Sequence, residues 1–286
     1  MTHRPSDWSA ERGARWAKHL AGIDALLAPV DEPLIDALTL DGPVRIADIG
    51  CGGGATASTL ARRAAAGSRV FGYDLAPASI SEAKRRAAAE ELSIDFKVCD
   101  VAVAPVDVPF DRLVSRFGVM FFDDAPDAFT NLYRWLVPGG RFAFAVWDAL
   151  AANPWMVSVR EAVERVAPLD PPESDSPGPF RYAEVEQLVA LLEGSGFQSV
   201  SAMRWRGELP IGDSLSSSEA ARFALSAFAT FADALERAGP HAFGAAQDAL
   251  SQRFAMHERE GSVWMDASVH IITGGRGLET DLMPSV

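Results

Sequence analysis

A glycine-rich turn directly after a short apolar strand is the feature of this sequence that points most clearly to chemistry. Residues 44 to 49 read VRIADI, and GCGGG occupies positions 50 to 54. Because glycine lacks a Cβ atom, the backbone of such a turn can adopt left-handed conformations and let a ligand approach the main chain. Helix-forming residues follow at 55 to 66, so the free N–H groups of a helix N-terminus would face the turn. The pattern predicts a site for a nucleotide-like ligand.

Acidic residues at the ends of three predicted strands distinguish between two kinds of nucleotide. The glycines alone also match the dinucleotide pattern G-x-G-x-x-G/A, and Asp74 follows Gly54 by 74 − 54 = 20 residues, the usual spacing of a ribose-binding carboxylate. Asp74 therefore fits either a dinucleotide or a nucleotide-like ligand that carries an ammonium group. Asp48, two positions before the first glycine, suits an ammonium group and repels a pyrophosphate. Asp100 ends a third strand at the same edge, so a phosphate-rich ligand is disfavoured.

Together these motifs resemble the class I S-adenosylmethionine-dependent methyltransferases across roughly residues 44 to 148. The resemblance rests on an ordered set: IADIGCGGG, VFGYD, FKVCD, FDRLVSRFGVMFF at 110 to 122 and LVPGGRFAFAVWD at 136 to 148. The Pro-Gly-Gly turn before a strand is seldom found in dinucleotide dehydrogenases. Within the class, SRFGVMFF and WDALAANPW look most like bacterial small-molecule methyltransferases related to the quinone-biosynthesis enzymes.

The resemblance implies an α/β, Rossmann-like class I methyltransferase fold. That fold has a seven-stranded, mostly parallel sheet with an antiparallel last strand, here joined by a helical N-terminal arm and a helical cap. Strand and helix patterns alternate along the chain, which itself predicts a mainly parallel sheet. The predicted strands lie at about 44–49, 69–73, 94–99, 111–116 and 140–146, near Phe197, and at 262–273, with helical patterns at 76–92, 125–135 and 182–193.

The resemblance also implies S-adenosylmethionine as the cofactor, with S-adenosylhomocysteine as the product. Asp48 would order the glycine turn and the ammonium group, Asp74 would hold the ribose hydroxyls, and Asp100 would accept from the adenine amino group. Further cofactor contacts are implied at Gly50, Cys51, Gly52, Gly54, Leu75, Val101, Ser115, Arg116 and Phe117. Two alternatives stay open: Asp48 could cap the turn, and Asp100 could be a helix N-cap before residues 101 to 104.

Composition narrows the class of partner. The chain has 286 residues, 48% of them hydrophobic, which is enough for an α/β domain with additions. Its formal net charge of −13 opposes the binding of nucleic acid, which is itself negatively charged. No signal peptide or membrane span is recognisable, so we expect a cytoplasmic protein acting on a small-molecule acceptor, and a homodimer is left open. Cys51 and Cys99 show no metal-ligand spacing, so no metal is expected.

Three segments lie outside the minimal domain. In the arm (1–40), Trp8, Arg12, Trp16 and Leu20 recur every four residues and predict one helix face that either joins the core or folds over the cofactor. After the cofactor-binding core (41–148), residues 149–214 complete the sheet and include a proline-rich stretch to Pro179, either lid or plain connector. Residues 215–260 predict a cap of two helices starting at Ser216, and 261–286 the last strand and tail.

Methyl transfer to a hydroxyl or enol also needs a base. The candidates are Asp148, directly after the fifth strand, and His19, His241, His257 and His270, each of which could equally be a surface or core residue. The sequence therefore predicts a small-molecule O- or C-methyltransferase with an apolar or aromatic acceptor. One alternative is a cofactor-binding protein with a non-methylating activity, and a more remote one is an NAD-linked oxidoreductase.

Overall fold

The computed structural model describes residues 11–171 and 176–278. Its strands are β1 (Arg45–Ile49), β2 (Arg69–Asp74), β3 (Ile94–Val98), β4 (Phe110–Arg116), β5 (Leu136–Trp147), β6 (Gln198–Pro210), β7 (Glu258–Arg259) and β8 (Ser262–Gly275). Its helices are α1 (Glu11–Lys18), α2 (Leu20–Asp36), α3 (Ala55–Arg63), α4 (Pro77–Ala89), α5 (Ala125–Trp135), α6 (Pro154–Glu164), α7 (Val185–Gly194), α8 (Ser217–Ala227), α9 (Ala229–Ala238) and α10 (Ala242–Phe254).

One sheet organises these elements, in the order β3-β2-β1-β4-β5-β8-β6. β1 to β5 pair in parallel, whereas β8 runs antiparallel to both β5 and β6, and the two-residue β7 forms a hairpin with β8. The predicted Rossmann-like α/β fold with its antiparallel last strand is therefore confirmed. β1 lies between β2 and β4, and its burial from Ile46 onward explains why its sequence is a nearly continuous apolar run.

Helices cover the two faces of the sheet with different side chains. α2 spans one face through fully buried Leu26, Val30 and Leu34. On the other face, Asp124 is the N-cap of α5, and its carboxylate accepts the Asp127 N–H at 3.2 Å. The ring centroids of Phe129 on α5 and Phe144 lie 6.2 Å apart. Because β1, β2, β4 and β5 run parallel, their carboxyl ends lie along one edge of the sheet.

Several boundaries differ from the sequence prediction. The expected continuous arm helix is interrupted at His19, where the backbone leaves helical geometry between α1 and α2. Trp8 lies outside the described residues, as does the side chain of Arg12. The predicted strand at 140–146 begins earlier, at Leu136, because an irregular register between Phe110 and Arg112 of β4 accommodates the Pro-Gly-Gly stretch.

The cap and the segment before it also differ from expectation. Residues 215–260 form three helices rather than two, because Phe228 adopts an extended conformation between α8 and α9 and packs 5.6 Å from Trp155. The predicted start is confirmed, since the Glu219 carboxylate accepts the Ser216 N–H at 3.1 Å in a capping box. The expected irregular stretch after 149 contains α6, which starts with Pro154 in its first turn.

The arm and the cap contact each other directly. Arg15 of α1 forms an ion pair with Asp233 of α9. His19 lies edge-on to Phe223 of α8, with ring centroids 6.3 Å apart. A Cβ atom on Gly22 of α2 would lie only 2.5 Å from Phe223 Cε2, so the phenyl ring is seated against the bare helix backbone. These contacts join α1, α2 and the cap above the carboxyl edge of the sheet.

Candidate cofactor and acceptor site

The glycine turn after β1 adopts the conformations that its sequence predicts. Gly50, Gly52 and Gly54 have φ values of +68°, +52° and +80°, which side chains with a Cβ atom rarely allow. A Cβ atom on Gly50 would also lie 3.0 Å from the Cα atom of Gly118, the residue that follows the β4 turn. The two turns therefore touch through backbone atoms, and Gly54 leads directly into α3.

Asp48 is a buried carboxyl group at the end of β1. Its side chain is 1% exposed, and its Oδ2 atom has no hydrogen-bond partner among the described residues. Burial raises the pKa of Asp48 to about 8; Arg116 opposes the shift, while the nearby charges of Asp31 and Asp74 add to it. A buried acceptor without a donor is costly, so this atom has an unmet demand for a hydrogen-bond donor or a cation.

One arginine of β4, which lines the same cavity, contacts two acids of α2. Arg116 Nη1 lies 2.9 Å from Asp31 Oδ2, and Arg116 Nη2 lies 3.3 Å from Asp24 Oδ1. We call the cavity lined by Asp24, Asp48 and Arg116 the acidic cavity. Sequence reasoning missed Asp24 and Asp31, although their seven-residue spacing on an otherwise apolar helix places them on one face. The cavity has more carboxyl groups than guanidinium groups, which favours a cationic ligand.

The arm closes this cavity from above. Trp16, Ile23 and Leu27 line it together with the glycine turn, and its volume is about 30 Å³. Trp16 Nε1 lies 3.5 Å from where a Cβ atom on Gly52 would be. Leu20 Cδ1 lies 3.0 Å from where a Cβ atom on Gly53 would be. A volume of about 30 Å³ is far below the roughly 300–1,000 Å³ of a typical small-molecule pocket.

Asp74 holds the glycine turn against the end of β2. One carboxylate oxygen accepts the Gly52 N–H at 2.9 Å, and the other accepts the Ala76 N–H at 2.8 Å. Burial raises the pKa of Asp74, and the backbone hydrogen bonds at Ala76, Gly52 and Leu75 oppose that shift. The side chain is half-buried and each oxygen retains a lone pair, so it can accept further donors.

The third strand-end acid has a local partner. Asp100 Oδ1 accepts the Ala102 N–H at 3.0 Å, and the Ala104 N–H donates to the Asp100 carbonyl at 2.9 Å, so Asp100 caps a turn. Val101 is buried, and Leu75 is half-buried at the end of the neighbouring strand. The carboxylate of Asp100 is itself half-buried, and its second oxygen can accept a donor from a ligand.

The turn after β4 is held against the end of β1. The Ser115 hydroxyl donates to the Ile49 carbonyl at 2.7 Å and accepts the Gly118 N–H at 3.2 Å. Phe117 has a φ of +63°, an uncommon conformation for a bulky residue that these bonds enforce. Its N–H donates to the Ala145 carbonyl at 3.0 Å, so that group is already satisfied.

Known proteins share these motifs and this arrangement. A family model described as a methyltransferase domain matches residues 46–140. Demethylmenaquinone methyltransferase from Thermus thermophilus is 32% identical over 173 residues, covering 57% of this chain and 78% of that protein. The chain belongs to the class I S-adenosylmethionine-dependent methyltransferases. The oxidoreductase alternative is therefore set aside.

Solved structures agree on the fold of this methyltransferase. The YcgJ protein from Bacillus subtilis has a TM-score of 0.57 at 16% identity, covering 87% of this chain and 99% of that one. Phosphoethanolamine N-methyltransferase 2 from Haemonchus contortus, solved with S-adenosyl-L-methionine, has a TM-score of 0.57 at 14% identity, covering 97% of this chain and 60% of that one.

S-adenosylmethionine is the cofactor of this methyltransferase, and the residues present fit it. The unsatisfied Asp48 oxygen suits its ammonium group, and the left-handed glycine turn admits a ligand close to the main chain. The described residues contain no cluster of three metal-ligating side chains. Across residues 11–171 and 176–278, no helix has the length and apolarity needed to cross a membrane.

The candidate bases of this methyltransferase lie in three different environments. Asp148 is 4% exposed; burial alone would raise its pKa, but hydrogen bonds from Ser268 and Ala149 and the charges of His270 and Arg204 leave the pKa lowered. His270 is buried beside it, with Nε2 3.2 Å from Asp148 Oδ1. His241 and His257 are exposed, His241 preceding α10. Among the described residues, no hydrogen bond or ion pair joins Asp148, His19 and His241.

His19 occupies the junction between the arm and the cap. It follows Trp16 by one helical turn and precedes Ile23 by another, and both of those residues line the acidic cavity. Burial lowers the pKa of His19, and Lys18 and Arg15 lower it further. The imidazole is therefore neutral near pH 7, the form in which it can accept a proton.

A row of aromatic rings leads from the end of β4 to the cap. Phe117, directly after Arg116, stacks on Trp147 with centroids 4.2 Å apart and planes at 11°. Trp147 contacts Trp155 at 5.8 Å, and Trp155 contacts Phe228 at 5.6 Å. We call these four residues the aromatic row. Trp155 Nε1 is buried without a hydrogen-bond partner among the described residues.

Proposed function

We propose that this methyltransferase methylates an oxygen or carbon atom of a small, apolar or aromatic acceptor. The observation that carries the proposal is the aromatic row, which runs from Phe117, the residue after the cavity-lining Arg116, to Phe228 of the cap. Aromatic side chains with few charged neighbours favour flat, uncharged ligands. The demethylmenaquinone methyltransferase relative supports a quinone-like acceptor.

For the cofactor we propose the residues that the motifs indicate. Asp48 receives the ammonium group, Asp74 the ribose hydroxyls and Asp100 the adenine amino group, and each of these carboxyl groups lies at the same sheet edge. The remaining proposed contacts are Gly50, Cys51, Gly52, Gly54, Leu75, Val101, Ser115, Arg116, Phe117 and Trp16. Of these, Trp16, Gly50, Cys51, Gly52 and Arg116 line the acidic cavity.

The bound cofactor supplies an electrophilic methyl group and is left as a neutral thioether. The residues of this chain then have two tasks, orientation and proton removal. Holding the reacting groups in line can contribute roughly 7–11 kcal/mol, more than proton removal does. For a hydroxyl acceptor we propose His19 as the base, since it is neutral, half-buried and next to Trp16. Asp148 is a weaker candidate for two reasons. Its lowered pKa makes it a poor proton acceptor, and its carboxylate already has four partners.

The mass of the product tests the proposed function. Incubation with S-adenosylmethionine and a demethylated hydroquinone should add one methyl group to the acceptor and release S-adenosylhomocysteine, whereas phosphoethanolamine should stay unmodified. His19→Gln should slow methylation of the hydroxyl by about 10²- to 10⁴-fold. His241→Gln, a change of an exposed histidine, is the matched control and should keep full turnover.

Two results would contradict this proposal. Methylation of the charged acceptor alone would exclude an apolar acceptor site. Binding of the cofactor without transfer to any hydroxyl or carbon acceptor would favour the non-methylating alternative.

We also propose that the arm (1–40) and the cap (215–260) close over the core (41–148). Deletion of residues 1–19 removes Trp16 and the Arg15 to Asp233 ion pair but keeps the buried residues of α2, so the sheet should stay folded. Turnover should fall at least about tenfold because water is no longer excluded. Trp16→Ala should reproduce most of the loss, and Arg15→Gln, which breaks one partly exposed ion pair, should change little.

Hydrogen exchange tests the same closure independently of enzyme activity. Amides of α1 should exchange more slowly when S-adenosylhomocysteine is bound to the full chain. Equal exchange with and without the ligand, together with full activity of the truncated protein, would make the arm a structural helix and leave residues 149–179 as the candidate lid.

A further inference from the structure

Arg116 is a buried cation at the cofactor end of β4. Its side chain is 9% exposed, and its guanidinium lies between Asp31 at 2.9 Å and Asp24 at 3.3 Å. It lines the acidic cavity together with Asp48 and the glycine turn. A guanidinium has five N–H donors in a planar fork, so the two contacts leave donors that can face the cavity.

The two acids that hold Arg116 differ in how firmly they are bound. Asp31 receives the Thr56 hydroxyl at 2.7 Å as well as the shorter arginine contact, and it is buried. Asp24 makes the longer contact to Arg116 and has a second cation, Arg86 of α4, with which it forms an ion pair. Asp24 can therefore give up Arg116 without being left unpaired, whereas Asp31 cannot.

A ligand that suits this cavity carries a positive and a negative charge on neighbouring groups. Asp48 offers an unsatisfied carboxyl oxygen on one side of the cavity, and Arg116 offers guanidinium donors on the other. An α-amino acid group presents an ammonium and a carboxylate on adjacent atoms and so matches this pair. Because the cavity volume is only about 30 Å³, we expect one of the present side chains to move when a carboxylate binds.

We propose that Arg116 binds the α-carboxylate of the cofactor's methionine moiety, and that Asp24 holds the place of this carboxylate until the cofactor arrives. The inference rests on the proposed cofactor site and adds a side-chain role for Arg116 and a positioning role for Asp24. Because Asp24 lies on α2, the exchange also releases one contact that ties the arm to the sheet.

Calorimetric binding of two ligands tests this exchange. S-adenosylhomocysteine is compared with S-adenosyl-3-thiopropylamine, which lacks only the carboxylate. The parent protein should prefer the former by about 10- to 150-fold, the range expected for a charge-assisted hydrogen-bonded pair. In Arg116→Gln this preference should fall to about threefold or less, and Arg116→Lys, which keeps the charge but loses the fork, should give an intermediate ratio. The control Arg69→Gln, an exposed arginine paired with Asp95, should retain the parent ratio.

Asp24→Asn should change the ratio in the opposite direction. Without the competing carboxylate, the preference for S-adenosylhomocysteine should rise by about threefold or more, and the rise should vanish in the double variant with Arg116→Gln. Circular dichroism and thermal unfolding identify any variant that fails to fold, and Arg116→Lys then replaces Arg116→Gln.

The outcomes separate this inference from the proposed function. Absence of S-adenosylhomocysteine binding to the parent would overturn the cofactor site as a whole. Equal weakening of both ligands in Arg116→Gln, with the ratio preserved, would overturn the carboxylate role and leave Arg116 as a structural ion pair. A lower ratio in Asp24→Asn would overturn the exchange.

Discussion

Asp48→Asn should weaken cofactor binding by about 10- to 150-fold while stabilising the ligand-free protein at alkaline pH. The binding loss is the roughly 1.5–3 kcal/mol expected for a hydrogen bond to a charged group. The gain in stability has a separate cause. Asp48 is buried with one unsatisfied oxygen, so ionisation of this group in the empty site is unfavourable, and asparagine cannot ionise.

The direction of the pH effect follows from the pKa of Asp48. Burial raises it from 3.8 to about 8 in the folded protein. Between these two values the folded state keeps a proton that the unfolded state has lost, so the free energy of unfolding of the parent falls as the pH rises. The slope is about 1.4 kcal/mol per pH unit for a single group. Asp48→Asn does not undergo this ionisation, and its advantage should grow from about pH 4 to about pH 8.

Two measurements check this prediction. In urea unfolding, the parent and Asp48→Asn should have similar stabilities at about pH 4, and the variant should be more stable than the parent at about pH 8.5. Calorimetry in buffers of different ionisation enthalpy should show that S-adenosylhomocysteine expels about one proton from the parent near pH 7 and none from Asp48→Asn. A stability difference independent of pH would refute the buried ionisation, and Asp95→Asn on β3 is the exposed control.

Asp74→Ala should reduce both the stability of the fold and the affinity for the cofactor. The change removes the acceptor of the Gly52 and Ala76 N–H groups. Each donor left without a partner away from water costs about 1–3 kcal/mol, and the proposed ribose contacts are lost as well. Asp74→Asn retains an acceptor for one of the two donors and should lie between alanine and the parent.

Chemical unfolding and calorimetry separate the two effects of this change. The free energy of unfolding should decrease in the absence of ligand, and the affinity for S-adenosylhomocysteine should decrease further under conditions where the variant is fully folded. Asp95→Ala, on the neighbouring strand, should stay within about 0.5 kcal/mol of the parent. Parental cofactor affinity in folded Asp74→Ala would remove Asp74 from the ribose site.

The strand-end acids could be predicted because their signals are local. Asp48 and Asp74 each end a short apolar run. The glycines of the turn beside Asp48 predict its left-handed conformation, because glycine is the residue that adopts it most readily. The α5 boundaries, Ala125–Trp135, were also predictable, since an acidic N-cap and a clear apolar face define them. In such cases the neighbouring residues contain the physical reason for the structure.

Contacts between distant segments could not be predicted in this way. Arg116 meets Asp31 across 85 residues of sequence and Asp24 across 92, and no local pattern pairs them. The same holds for Asp148, whose partner Ser268 is 120 residues away and turns a candidate base into a satisfied buried carboxylate. The breaks at His19 and Phe228 interrupt otherwise regular helical patterns because tertiary packing on Phe223 and Trp155 outweighs local helix preference.

The bare backbone of Gly22 beneath Phe223 has a consequence for how this sequence can vary. Glycine inside a helix costs roughly 0.5–1 kcal/mol relative to alanine, so drift should tend to replace it. A methyl group there would lie 2.5 Å from the phenyl ring, which is too close for any real contact. Alanine at position 22 is therefore acceptable only alongside a smaller residue at 223, and in related sequences these two positions should change together, linking the evolution of the arm to that of the cap.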